Sequence, residues 1–197
     1  MRIYDITQEL FGGKVYPGDS APTFERVLKI SEGASCNVTT LCLGAHNGTH
    51  MDAPYHFYDE GKTIDQLDLH RCIGPCQVVD LSAMNREELE RFLLVCKKRI
   101  LIKGNTEITL ELAKLFNQYH IILIGVEGQS VGPEGAPMPV HLELLKEEVV
   151  LLEGLLLADI PEGEYFLSAA PLKLGGSDGA PCRAVLFSFD ETDACNY

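Results

Sequence analysis

Basic residues are scarce in this chain: 16 lysines and arginines stand against 29 aspartates and glutamates, for a net charge of −13. No basic stripe is visible, which argues against a nucleic-acid binder. The acidity disfavours attraction to an anionic membrane surface. Long apolar runs are missing as well. None approaches the roughly 18 residues that span a bilayer. No apolar signal-peptide segment follows the opening Met1-Arg2-Ile3-Tyr4-Asp5, so a cytoplasmic protein is the simplest expectation. Low-complexity linkers, long charge blocks and internal repeats are all absent, and 197 residues fall within one-domain length; a single domain over 1–197 is expected. The cysteines, at 36, 42, 72, 76, 96, 182 and 195, make no compact framework and fit reduced thiols. Cys72 and Cys76 lie four apart, but Gly74-Pro75 separates them and no second pair matches that spacing. Small buried hydrophobes are a better account of them than a zinc finger.

What is present reads as strands mixed with fewer helices. Strands are expected over residues 1–6, 25–30, 37–43, 77–81, 99–103, 121–126, 149–152, 165–169 and 184–189, from their β-branched and apolar content. Helices are expected over 85–98, with Glu87, Glu88 and Glu90 early and Lys97 and Lys98 late. Two more are expected over 109–119, with Thr109 as N-cap, and over 139–146, with proline in the first turn. Residues 57–70 read as a polar loop. The pattern is that of an α/β chain with a mixed sheet, closed or layered.

The informative segment is His46-Asn47-Gly48-Thr49-His50-Met51-Asp52-Ala53-Pro54-Tyr55-His56, which holds three of the six histidines. Its candidate ligands, His46, His50, Asp52 and His56, all occupy even positions, and alternate side chains of an extended chain share a face. Imidazole and carboxylate together suit zinc, manganese or iron. A regular helix is argued against by Gly48 and Pro54. A straight strand would separate the outer histidines by roughly 33 Å, so the segment has to bend, and Gly48 and Pro54 are the expected bend points. The plain alternative is a polar surface loop with incidental histidines. Of the remaining histidines, His120 stands at a helix-to-strand junction and reads as structural, and His70 reads as a cap or surface residue. His141 opens the helix after Met138-Pro139-Val140, and Glu153 closes the apolar run Val149-Val150-Leu151-Leu152. A carboxylate at the end of a buried strand is costly unless it is paired or bound to a cation; the alternative is that Glu153 faces water.

The block His46-x-Gly-Thr-His50-x-Asp52-Ala-Pro-x-His56-Phe57 resembles the signature of the metal-dependent cyclase family, which includes bacterial kynurenine formamidases. Further similarity lies in Tyr16-Pro17-Gly18-Asp19, Ile73-Gly74-Pro75 with Val78-Val79-Asp80-Leu81, Gly125 to Ser130, the His141 helix, and Gly176-x-Asp178-Gly179-x-Pro181-x-Arg183. The resemblance implies a swivelling β/β/α fold, a homo-oligomer (dimer or tetramer) and a site for two divalent ions, zinc first, with manganese or iron as alternatives. It implies that His46, His50 and Asp52 hold one ion, that Asp52 and Glu153 bridge to a second completed by His141, and that His56 is the general acid/base. The activity implied is hydrolysis of an amide, a formamide (arylformamidase-like) or a cyclic amide of small-molecule size. Lactonase or ring-opening chemistry, cyclisation by dehydration, and a non-catalytic metal- or ligand-binding module are the alternatives. Two positions depart from the pattern. Tyr16 stands where kynurenine formamidases carry a tryptophan that stacks on substrate, and this chain has no tryptophan; tyrosine can still stack. Glu127 stands where the family often has aspartate, and is either a pocket-shaping acid or part of an ordinary strand-to-loop turn.

Overall fold

A computed structural model describes residues 1–104 and 106–189; Cys195 lies outside them. Nine strands form one mixed sheet in the order β1-β11-β9-β5-β6-β7-β8-β4-β10. In chain order these are β1 (Arg2–Asp5), β4 (His50–Asp52), β5 (Ile73–Val79), β6 (Arg99–Ile102), β7 (Leu123–Val126), β8 (Val150–Glu153), β9 (Gly163–Ser168), β10 (Gly179–Pro181) and β11 (Val185–Ser188). The central four, β5 to β8, run parallel, and every other pairing in the sheet is antiparallel.

The apolar runs at 99–102, 123–126 and 150–152 belong to strands covered on both faces, where side chains pointing either way are buried. In β6, Ile100 and Ile102 face one core and Leu101 the other. The first core is covered by helices α2 (Arg86–Val95), α3 (Leu110–Gln118) and α4 (Met138–Leu145), through Leu93, Phe116, Val140 and Leu144. The second is filled by the sheet itself: Met51, Leu167, Ala180 and Leu186 from the flanking strands meet Val78, Leu101, Leu123 and Val150. The sheet therefore curls over its own face, which matches the expected α/β class with a mixed sheet.

Local chemistry sets the helix ends. Asn85 caps α2 and forms a reciprocal box with Glu88, and Thr109 accepts from Leu112 N–H at 3.2 Å at the start of α3. The chain leaves α2 at Cys96, so Lys97 and Lys98 are not its last turn as expected: Lys97 pairs with Glu164 at 3.0 Å and Lys98 donates to the Tyr119 carbonyl at 2.9 Å. β5 starts earlier than expected, taking in Gly74-Pro75. Over Ile73–Cys76 its only neighbour is β9, because β6 pairs from Gln77 onward; a proline costs least where one side of the strand has no partner. The expected loop at 57–70 contains a turn of 3-10 helix (Ile64–Gln66) and leads into α1 (Leu69–Cys72), capped by Asp68. His70 lies on that short helix and is exposed, and His120 is exposed with a left-handed φ of 55°. Cys72 and Cys76 are buried, and burial pushes their thiols up to about 11 and about 12, which suits core packing rather than metal binding.

Strands β2 (Thr23–Leu28) and β3 (Val38–Cys42) form a separate two-stranded sheet whose residues are all exposed. They were expected as strands, but lie outside the main sheet. No described helix is long and apolar enough to cross a membrane.

Candidate metal centre

The segment 46–56 bends where its composition requires. Gly48 takes a left-handed φ of 66°, and Pro54 starts a 3-10 turn over Pro54–His56. Between the bends, β4 pairs with β8 so that His50 lies directly opposite Glu153. Residues a hundred positions apart thus become cross-strand neighbours. α4 brings His141 to the same place. His50, Asp52, His141 and Glu153 are all buried, at 1–3% exposure.

Backbone carbonyls orient the two buried imidazoles. His50 Nδ1 donates to the Gly48 carbonyl and His141 Nδ1 to the Pro137 carbonyl, each at 2.9 Å. Both rings therefore turn Nε2 inward. His50 Nε2 lies 3.2 Å from Glu153 Oε2 and 3.5 Å from Asp52 Oδ1; His141 Nε2 lies 3.4 Å from Glu153 Oε1 and 3.6 Å from Asp52 Oδ2. Neutral rings with this tautomer would point lone pairs at carboxylate oxygens. The arrangement is favourable only if the rings are protonated or a cation lies among them. Asp52 Oδ2 is moreover buried with no hydrogen-bond donor, a cost that a cation removes. The donor set of imidazole nitrogens and carboxylate oxygens fits zinc, manganese or iron. Two groups, His50–Asp52–Glu153 and His46–Asp52–His56, have ligand atoms within 4.8 Å of one another.

His46 is held between two carboxylates, with Nδ1 at 2.9 Å from Asp52 Oδ1 and Nε2 at 2.8 Å from Asp178 Oδ2. Burial opposes its charge, but the hydrogen bonds and charges of Asp52 and Asp178 prevail and raise its pKa to about 9. His50 and His141 are raised for the same reason: burial disfavours the charged ring, and Glu153 outweighs it. Burial also works against the Glu153 carboxylate, yet His141 and His50 bring it down to about 2. His56 goes the other way. Burial, aided by the neighbouring His46 charge, lowers it below the usual 6.5, so it favours the neutral form.

These shifts predict a pH signature for the metal-free protein. The raised histidines contribute stability that is full below 6.5 and is lost as pH rises through their folded values, which for His46 means about 9. Glu153 contributes above its ordinary 4.5, and its share is lost as pH falls toward about 2. Thermal denaturation of chelator-treated protein should therefore show Tm falling between pH 6.5 and 9. Zinc should offset that fall, because metal displaces the same protons. A metal-free Tm that rises over this range would contradict the arrangement.

The six candidate residues line one cavity of about 200 Å3 together with Tyr16 and Phe57, whose ring stacks on His141 with centroids 4.7 Å apart. Tyr16, Gln129 and Ser130 also border an adjoining cleft of about 980 Å3. The buried carboxylates Asp52 and Glu153 line the smaller cavity and not the larger cleft. Glu127 lines the larger cleft and not the smaller cavity. Its carboxylate accepts from Gly104 N–H at 2.6 Å and Leu157 N–H at 3.0 Å, clamping loops at the strand ends. Two further contributions were not assigned from the sequence. Val131 N–H donates to Glu153 Oε1 at 2.8 Å. Asp178, just before β10, reaches both His46 and His56, the latter at 3.3 Å; its signal was the glycine-flanked carboxylate in Gly176-Ser177-Asp178-Gly179.

A buried cage of imidazoles and carboxylates, open on one side to a small cavity, defines a metal-dependent hydrolase type of site. The family model described as "Putative cyclase" matches residues 4–101. The kynurenine formamidase of Bacillus anthracis is 33% identical over 199 residues, covering 92% of this chain and 95% of its own. That of Erythrobacter litoralis (strain HTCC2594) is 35% identical, covering 94% and 93%. A solved structure titled as a potential metal-dependent hydrolase with cyclase activity superposes with a TM-score of 0.79 at 28% identity, covering 96% of this chain and 98% of its own. The chain belongs to the cyclase family of metal-dependent hydrolases.

Proposed function

We propose that the protein hydrolyses a carbon–nitrogen bond of a small amide, formamide or cyclic amide, in the manner of an arylformamidase. The observation that carries this reading is the meeting of His50 and Glu153 across one ladder, with Asp52 Oδ2 buried 3.6 Å from His141 Nε2 and without a donor. In this reading His46, His50 and Asp52 hold one ion, and Asp52, Glu153 and His141 a second. Zinc is the first candidate, with manganese or iron as alternatives. A divalent cation held there supplies polarisation of the scissile carbonyl and lowers the pKa of water toward about 7.

The protein's own groups do the rest. Tyr16 borders the cavity and offers an aromatic face to a substrate ring. Burial of the cage keeps bulk water from the carboxylates, which strengthens every charge interaction inside. His56, favouring its neutral form, accepts a proton as water adds to the carbonyl carbon. It then gives that proton to the nitrogen as the C–N bond breaks, leaving an amine and a carboxylic acid that releases its remaining proton to water. The curated kynurenine formamidases support a formamide substrate, and the Tyr16 side chain favours one with an aromatic body.

Residues 1–197 act as one domain in this reading, supported by the nine-stranded sheet that includes both β1 and β11. A homo-oligomer, dimer or tetramer, is supported by the exposed Phe24, Val27, Leu28, Val38 and Leu41 of the hairpin. A cytoplasmic location fits the six described cysteines, all free. Strong chelation should abolish hydrolysis of N-formyl aromatic amines, and added zinc or manganese should restore it. Activity that survives complete metal removal, verified on the same sample, would overturn the proposal.

A further inference from the structure

Asp178 carries no role in the reaction as described so far. Its carboxylate is 41% exposed, unlike those of Asp52 and Glu153. A single oxygen, Oδ2, faces two imidazoles: His46 Nε2 at 2.8 Å and His56 Nδ1 at 3.3 Å. The two rings are neighbours, with centroids 4.2 Å apart and planes tilted by 34°.

We propose that Asp178 is a positioning residue that selects which nitrogen each of these rings presents to the cavity. An ionised carboxylate only accepts hydrogen bonds, so both nitrogens facing it carry protons. For His46 this leaves Nδ1, 2.9 Å from Asp52 Oδ1, as the nitrogen free to exchange its proton for a cation. For His56 it leaves Nε2, which makes no hydrogen bond among the described residues, as the nitrogen that trades protons with substrate. One oxygen thus selects opposite nitrogens on two rings. His50 and His141 need no such device, because backbone carbonyls already hold their Nδ1 protons.

The backbone around Asp178 is built to keep it there. Ala53 N–H donates to its carbonyl at 2.9 Å, and Gly179 pairs with Asp52 in the β10–β4 ladder. Ser177 is tied on both sides, its carbonyl accepting from Ile64 N–H at 2.9 Å and its hydroxyl donating to the Gly179 carbonyl at 2.8 Å. Gly179 clears the space for the first ring: a Cβ there would lie 2.7 Å from His46 Cε1 and 2.8 Å from the Met51 carbonyl oxygen. An incidental surface ion pair would need none of this.

The inference rests on His46 as a ligand and His56 as the proton carrier, and its test reads neither through activity alone. The experiment uses metal-free protein with 15N-labelled histidine, whose ring tautomers are read from long-range proton–nitrogen correlation spectra. Zinc affinity is measured by competition with a chelating dye, and kcat and KM on an N-formyl aromatic amine. Wild type should show His56 as the Nδ1–H form. Asp178→Ala should shift it toward the Nε2–H form, weaken zinc binding by about 10- to 100-fold, and lower kcat with KM changed less than about threefold. Asp178→Asn retains an accepting oxygen, so it should keep the tautomer and recover most of the zinc affinity. Wild-type His56 in the Nε2–H form, or an Asp178→Ala protein with unchanged tautomer and unchanged zinc affinity, would overturn the assignment. Shifted tautomer and weakened zinc in a protein that hydrolyses no amide would uphold Asp178 and refute the proposed reaction instead.

Discussion

Replacing His56 with alanine should leave bound metal in place and remove turnover by about 10²- to 10⁴-fold, the range for loss of a positioned acid–base group. The expectation is sharp because His56 occupies an ambiguous place. Its ligand atom falls within 4.8 Å of those of His46 and Asp52, so it could be counted as a donor. Two observations separate it from the other three histidines of the site. Its side chain is 30% exposed, against 20% for His46, 2% for His50 and 4% for His141, and burial and the His46 charge lower its pKa while those of His46, His50 and His141 are raised. A proton carrier must take up and release a proton near neutrality, whereas a ligand must hold none. Metal analysis and steady-state kinetics on the same preparation decide the matter. A His56→Ala protein that arrives without metal would make His56 a ligand and leave the reaction without its proton carrier.

The second large effect is expected at Glu153. Glu153→Gln keeps the shape and still offers an oxygen to Val131 N–H, 2.8 Å away in the native protein. It removes the β8 carboxylate that, with Asp52 of β4, faces both His50 and His141. Zinc affinity should fall by more than about 100-fold, beyond the range for residues that merely support ligands. In the metal-free protein the two imidazolium rings would lose a buried partner, and removal of one member of a buried pair costs about 3–5 kcal/mol. Chemical denaturation with and without zinc should therefore show both a weaker metal-free fold and a smaller gain on adding metal. Wild-type zinc binding by Glu153→Gln would reduce Glu153 to a loop clamp for Val131.

The parts of this site that could be read from residues alone are those with a local signature. His46, His50, Asp52 and His56 fall within eleven positions, and Gly48 and Pro54 announce the bends between them. Glu153 at the end of an apolar run left two readings, a paired or cation-bound carboxylate and one facing water, and its burial decides for the first. What remained hidden was pairing. β4 and β10 are three residues long, too short for any periodicity to show, yet their ladders set His50 opposite Glu153 and Asp52 opposite Gly179, next to Asp178. The Asp178 carboxylate sits in a Gly-rich turn whose composition says only that the chain reverses there. The curl of the sheet was equally silent, because strands buried on both faces read as continuous apolar runs whatever covers them. The end of α2 was misplaced for a simpler reason. Lysines at 97 and 98 satisfy a helix dipole in principle, but here they serve Glu164 and the Tyr119 carbonyl instead.

Anomalous diffraction from crystals grown with zinc or manganese addresses the shared cation pocket most directly. The expected result is metal density in the pocket formed by the Asp52 and Glu153 carboxylates, within ligand reach of His46 Nδ1 and of the inward Nε2 atoms of His50 and His141. A fully occupied metal elsewhere on the molecule, with those five side chains unchanged and unliganded, would contradict it.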